Sequence, residues 1–293
     1  MDVARFEAAL PTAFTGEVTD GLPVDPRFAA LVDQVGGFTP PATLAVLNTA
    51  ARLLPADECY LEVGTFKGRS LCAALLDAQD REFVAVENFQ EFGMVGAEAR
   101  TVLADNVRGR AEGRRLRLVE GDCFAVLARE GAVPQPVGVY FYDGAHTRLA
   151  HRLALSVVEP LLADEALVLV DDASWRLVRS ATLRYVTGHA EWGVVTEFRV
   201  ATPDDPRWAN GLLVLRYRRA PASRGRRRTR SFSEEWRRQL QVRLRGPATM
   251  MVWRTLHQLP WLVPVARRLV PKRSRRVDSS EQGSGAGGRD LGG

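Results

Sequence analysis

Cysteine is scarce in this chain of 293 residues: Cys59, Cys72 and Cys123 are an odd set without the spacing of a metal knuckle. That argues against a disulfide framework. No leader-like stretch precedes them, so a reducing cytoplasm is the expected compartment. A long unbroken apolar run is missing too. The most apolar C-terminal stretch, "ATMMVWRTLHQLPWLVPVARRLV", is interrupted by Arg254, His257, Pro260 and Pro264, which disfavours a spanning helix of about 20 apolar residues. No internal repeat occurs, which argues against a solenoid or a propeller.

What remains is an ordinary composition with an uneven charge distribution. Apolar residues make up 46% and charged residues 26%, which excludes global disorder and a polytopic membrane protein. Residues 216–276 hold 19 Lys or Arg against only Glu234 and Glu235, a net +17, while the rest of a chain of total charge +5 carries −12. An acidic body bears a basic appendage, which speaks to the partners of the appendage and little to the fold of the body.

From Cys59 to Tyr217, short apolar runs alternate with stretches of helical period, the pattern of a parallel sheet covered by helices. The strands read "CYLEVG", "EFVAVE", "LRLVEGD", "VGVYFYD", "ALVLVDD", "VVTEFRVA" and "GLLVLRY". Helices are predicted over 68–78, about 96–110, 125–129, 147–162 and 175–187. The last two strands flank "TPDDPRWANG", too short for a crossover helix, so an antiparallel hairpin is predicted there. Ahead of the body, two helices broken at Gly36-Gly37 and Pro40-Pro41 would cap a cleft.

After the body, Ser231 with Glu234 three residues on has capping-box spacing. Trp236, Leu240 and Leu244 share one face of the helix it would open, among arginines. The expected organisation is a helical cap over 1–55, an α/β domain over 56–219, a basic amphipathic helical extension over 220–276 and a disordered tail over 277–293.

The first strand closes on Glu62-Val63-Gly64-Thr65-Phe66-Lys67-Gly68-Arg69-Ser70, an E-x-G-x-x-x-G turn that opens a helix. Glycines let the backbone turn and approach a ligand, and the free N–H groups of a helix start can hold an anion. A tight turn with no ligand accounts for the same pattern. Glu87 closes the second strand, placed to accept from a ribose diol, and Asp122 follows the third. Acids at successive parallel strand ends share the carboxyl edge where open α/β sheets bind ligands. Solvated strand ends are the plainer reading of both.

Together, "YLEVGTFKGRS", "FVAVENF", "VEGDCF", "YFYDGAH" and "LVLVDDASW" resemble the class I S-adenosylmethionine-dependent methyltransferases, and within them the metal-assisted O-methyltransferases of catechols and macrolide sugars. The resemblance spans about residues 40–217. It implies a Rossmann-like fold with a seven-stranded, mostly parallel sheet, an antiparallel C-terminal hairpin and helices on both faces. It also implies cofactor-binding roles for Glu62, for Gly64, Gly68 and Ser70 around the methionine part, for Glu87 on the ribose and for Asp122 beside the adenine. Thr65 stands where many members have glycine, and the basic extension has no counterpart.

In such a fold the fourth and fifth strands are neighbours, so Asp143 and the pair Asp171-Asp172 end about 5 Å apart. Carboxylates so close raise one another's pKa unless a cation joins them, and Mg²⁺ or a similar hard dication is the simplest resolution. His146 follows Asp143 by three positions and can face the same cleft, where an imidazole removes a hydroxyl proton. The resemblance implies Asp143 and His146 as catalytic residues, Asp143, Asp171 and Asp172 as metal ligands, and a hydroxyl of a small molecule or glycan as acceptor.

Plainer alternatives stand beside these. Asp143 would bind the methionine amino group without metal, His146 would cap its helix, and the acidic pair would sit at a helix start. His151 is expected on a helix surface, and Trp175 either lines the pocket or belongs to the core. Substrate choice is expected to lie with residues 38–47 and with the loop before Trp208.

For the tail, residues 224–276, an anionic membrane surface suits the interleaved tryptophans, leucines and arginines, giving a cytoplasmic protein with peripheral membrane contact. Nucleic acid is less favoured, because the [N/D]-P-P-[Y/F] strand end of base-modifying methyltransferases is lacking. A solvated helical extension that packs on its own domain or on a second subunit is the plainer reading. A non-catalytic protein that docks through this tail is the competing class.

Overall fold

The computed structural model describes residues 1–221 except 79 and 91–93. The expected basic extension and disordered tail therefore lie outside the described residues from position 222 onward. All seven predicted strands form: β1 (Cys59–Val63), β2 (Glu82–Glu87), β3 (Arg115–Glu120), β4 (Val137–Tyr142), β5 (Leu162–Val170), β6 (Trp192–Phe198) and β7 (Leu212–Arg218). They make one sheet in the order β3-β2-β1-β4-β5-β7-β6. The first five run parallel, and β7 runs antiparallel to both β5 and β6. Every residue of the central strand β4 is buried, as expected of a parallel strand covered on both faces.

Helices α1 (Val3–Ala9), α2 (Arg27–Gln34), α3 (Pro41–Arg52), α4 (Arg69–Leu75) and α5 (Met94–Arg108) precede α6 (Cys123–Leu127), α7 (Arg148–Val158) and α8 (Arg176–Thr187). Phe6, Leu31, Leu44, Leu47 and Leu71 from the early helices join Tyr60, Phe83, Phe141 and Leu169 of the sheet in one buried cluster. Strand residues that alternate with these, such as Leu61, Tyr140 and Val168, are buried as well, so both faces of the sheet are covered. α6, α7 and α8 pack successively against one another.

α2 and α3 break where expected, with Pro41 at the first position of α3, where a missing N–H costs nothing. α1 was not legible: two turns with only Val3 and Phe6 buried carry no measurable period. α7 stops at Val158 rather than running to Leu162, because Pro160 lies in the 3-10 turn that follows.

Parts of two stretches expected to set substrate choice take part in packing, while Phe38, which opens the first of them, is exposed. Residues 42–47 of α3 are fully buried in the core. Trp208 stacks flat on Phe198 at 4.0 Å, lies 6.0 Å from Phe14, and donates its indole N–H to the Thr19 carbonyl at 3.0 Å. It is a pillar between the C-terminal hairpin and the N-terminal segment. Among the described residues, no helix is long and apolar enough to cross a membrane.

Candidate metal and cofactor site at the carboxyl edge

Parallel pairing carries the strand ends into alignment. The Gly64 N–H bonds the Val86 carbonyl at 3.1 Å, that of Gly121 the Glu87 carbonyl at 2.9 Å, that of Asp143 the Val63 carbonyl at 2.9 Å, and that of Asp171 the Tyr142 carbonyl at 3.0 Å. Five consecutive strands thus deliver Glu87, Gly64, Asp143 and Asp171 to one edge. A cavity of about 410 Å³ lined by Trp192, Arg216 and Arg218 lies at the opposite edge, since Arg218 pairs with Glu165 near the start of β5. It offers none of the convergent acids.

The turn after β1 is shaped by close approach. Gly64 has φ +86°, and a Cβ there would stand 2.0 Å from the Asp143 carbonyl oxygen, so this turn and the one after β4 are in backbone contact. Beneath it, Tyr60 and Ser70 donate their hydroxyls to Glu62 at 2.9 and 2.8 Å. Burial raises the Glu62 carboxyl to about 7 against the pull of those bonds. Glu62 and Ser70 support the turn from inside, both buried.

Glu87 accepts from the backbone N–H groups of Phe66, Asn88 and Phe89 at 2.7, 2.7 and 2.9 Å. Phe66 and Phe89, at φ 48° and 52°, occupy left-handed backbone that non-glycine residues rarely adopt. The carboxylate thereby fixes two turns, and its remaining lone pairs can accept further donors. Asp122 caps α6, accepting from Ala125 N–H at 2.8 Å, and is exposed.

Past β4 and β5, ligand atoms of Asp143, His146 and Asp172 lie within 4.8 Å of one another. Nε2 of His146 stands 2.6 Å from Asp172 and 3.8 Å from Asp143. It is buried, yet no acceptor is in line with it as a hydrogen-bond partner. Two carboxylates and an imidazole this close fit an oxygen- and nitrogen-ligated dication, whose octahedral bonds of about 2.1 Å place ligand atoms about 3 to 4 Å apart.

Asp172 reaches this group because its backbone is left-handed, φ 54°, a conformation Asp tolerates. Asp171, expected as a ligand, is not in the group. Burial first, and the charges of Asp143 and Asp172 second, push its carboxyl well above the usual range. Its carboxyl is sealed from water behind the two that converge with His146.

Two of the plainer roles, capping by His146 and a helix-start position for the acidic pair, are not what the chain adopts. The cap of α7 is Thr147, whose hydroxyl accepts from Ala150 N–H at 3.0 Å, so His146 is not spent on capping. α8 begins at Arg176 with no side-chain cap, beyond the acidic pair. Trp175, 42% exposed, lies 5.1 Å from the His146 ring and so belongs to the rim rather than the core.

Burial pulls the His146 imidazole down, but the neighbouring carboxylates of Asp143 and Asp172 outweigh it and push the ring up to about 10. Its unfolded value is near about 6.5. The stabilisation is therefore complete below the unfolded value and is lost as pH rises through about 10. In chelator-treated protein, wild type is expected to lose more thermal stability than His146→Gln between neutral pH and pH 10. Equal losses in scanning calorimetry would show that the ion pair contributes nothing.

Two residues near the edge escaped the sequence reading. His151, expected on a helix surface, is 2% exposed and sits edge-on to Tyr142 at 5.3 Å. Burial lowers its ring to about 4, so it stays neutral. Arg69 lies buried in the first turn of α4, and nothing in one sequence distinguishes it from a solvated arginine.

The methyltransferase-domain family model matches residues 61–173, from β1 to just beyond Asp172. Among curated proteins, no match was found. Cofactor-bound Rv0187 from MTB is 19% identical, with TM-score 0.50 over 73% of this chain and 96% of its own. The O-methyltransferase TomG from Streptomyces achromogenes, in complex with SAM, is 16% identical with TM-score 0.49 over 75% and 100%. An O-methyltransferase from Bacillus cereus, in complex with SAH, is 13% identical with TM-score 0.49 over 73% and 97%. Strand order, the glycine turn after β1, the acids at the strand ends and the matched family model together show that the chain has a class I S-adenosylmethionine-dependent methyltransferase fold.

Proposed function

We propose that the protein moves the methyl group of S-adenosylmethionine to a hydroxyl of a small molecule or glycan, assisted by Mg²⁺ or a similar dication. The observation that carries this reading is the convergence of Asp143, His146 and Asp172 beside the glycine turn. Gly64 and Gly68 would border the methionine part of the cofactor, with Glu62 and Ser70 supporting the turn. Glu87 would accept from the ribose, Asp122 would lie beside the adenine, and Asp143 would face the methionine amino group.

Asp143 and Asp172 would hold the dication, with Asp171 as a buried acid behind them. Bound there, the ion supplies charge neutralisation and lowers the acceptor hydroxyl pKa. His146 titrates far above neutrality only because two carboxylates face it. When those charges are neutralised, the ring returns toward its ordinary range and can take the hydroxyl proton. The acceptor oxygen then attacks the methyl carbon, the carbon–sulfur bond breaks, and S-adenosylhomocysteine leaves with the electron pair.

Incubation with radiolabelled S-adenosylmethionine and a host extract, with and without Mg²⁺, tests the reading. Label in a lipid, glycan or small-metabolite fraction supports it, and calorimetry showing no binding of the cofactor overturns it. Glu87→Ala is expected to weaken S-adenosylhomocysteine roughly 10- to 100-fold, the worth of hydrogen bonds to a charged acceptor. Unchanged affinity in isothermal titration would remove Glu87 from the ribose.

A further inference from the structure

Arg69 is 9% exposed, and among the described residues no carboxylate bonds its guanidinium. It donates from Nε to the Val35 carbonyl at 2.7 Å, from Nη2 to Val32 at 3.0 Å and from Nη1 to Thr39 at 3.2 Å. The first two contacts sit at the end of α2, where carbonyls lack helical partners and the helix dipole is negative. Gly37 makes room for the clamp, since a Cβ there would stand 3.3 Å from Cβ of Arg69.

A second tie joins the same two segments. The Phe38 ring, 74% exposed, stacks on Phe66 at 5.8 Å and 13°, and the Phe66 N–H is held by Glu87. A large exposed aromatic is thus carried on a short segment whose anchoring belongs to the cofactor turn.

We infer that Arg69 is a positioning residue: it locks segment 35–39 to the glycine turn, so that a bound cofactor and the exposed lip carrying Phe38 order each other. This rests on the function proposed above. A guanidinium buried against carbonyls of one segment transmits displacement of either side, because separating them strands a charge and three acceptors. The lip and the turn that would carry the cofactor are therefore held as one unit.

Hydrogen exchange read by mass spectrometry on the full chain tests this with wild type, Arg69→Met, Arg69→Lys and Phe38→Ala. Without ligand, Arg69→Met is expected to speed exchange at 36–39 at least tenfold, and Phe38→Ala to speed exchange at 64–68 at least threefold. S-adenosylhomocysteine is expected to slow exchange at 36–39 about tenfold in wild type, less than threefold in Arg69→Met, and to an intermediate degree in Arg69→Lys.

Equal ligand protection in Arg69→Met and wild type overturns the inference, as does none in wild type when calorimetry shows the ligand bound. If Arg69→Met does not fold, Phe38→Ala decides, since its ring is exposed: unchanged exchange at 64–68 overturns the tie. Should S-adenosylhomocysteine not bind wild type, methyl transfer falls and the cofactor half of the inference with it. The ligand-free comparison still decides whether the two segments are tied.

Discussion

Asp172→Asn is expected to lower methyl transfer by roughly 10²- to 10⁴-fold, the range over which a lost acid–base and charge arrangement is felt. Asparagine suits the test because it keeps the volume and tolerates the left-handed backbone at φ 54°, so only the charge is removed. Two functions go with that charge. The candidate ion loses one of the two carboxylates that converge with His146, and the imidazole loses one of the two charges that face it, the one 2.6 Å from Nε2. Titration with Mn²⁺ is expected to show affinity reduced at least about 10- to 100-fold. Full turnover in excess chelator, with Asp172→Asn as active as wild type, would leave a methyltransferase in which Asp143 and His146 act without an ion.

Gly64→Ala is expected to cost stability as well as activity. A methyl group there would stand 2.0 Å from a backbone carbonyl oxygen, which no rotamer relieves, at a backbone angle of +86° that alanine disfavours. Left-handed strain and forced separation of the two turns together cost roughly 2 to 6 kcal/mol. In a domain of this size that is a fall in Tm of about 5 to 20 °C. Because the displaced carbonyl belongs to Asp143, the candidate site is expected to move with it. Wild-type Tm in Gly64→Ala would mean that the turns are not in contact.

Much of this site was legible because parallel strands reveal themselves locally. A run such as "VGVYFYD" is apolar for its buried length and polar where it leaves the sheet, so its acid is readable as an edge residue. Glu87, Asp122, Asp143 and the acidic pair all come to the edge on that logic. The division of labour between Asp171 and Asp172 was not readable. It turns on one left-handed residue and on which carboxyl is sealed from water, and adjacent identical letters hold neither fact. His151 misled for a related reason: α7 buries much of its surface against its neighbours, so a polar residue facing Tyr142 looks in sequence like one facing solvent.

By itself, the sequence determined the seven strands, the hairpin that closes the sheet, the glycine turn and the edge to which the acids belong. Those features are set by periodicity, turn chemistry and chain direction, all local properties of the backbone. Only the tertiary structure decided that Asp143, His146 and Asp172 meet within 4.8 Å, that Trp208 is a pillar, and that Arg69, just after the glycine turn, bonds carbonyls at the end of α2. Each depends on distances between segments far apart in the chain, and those distances are set by packing across the sheet rather than by any pattern along it.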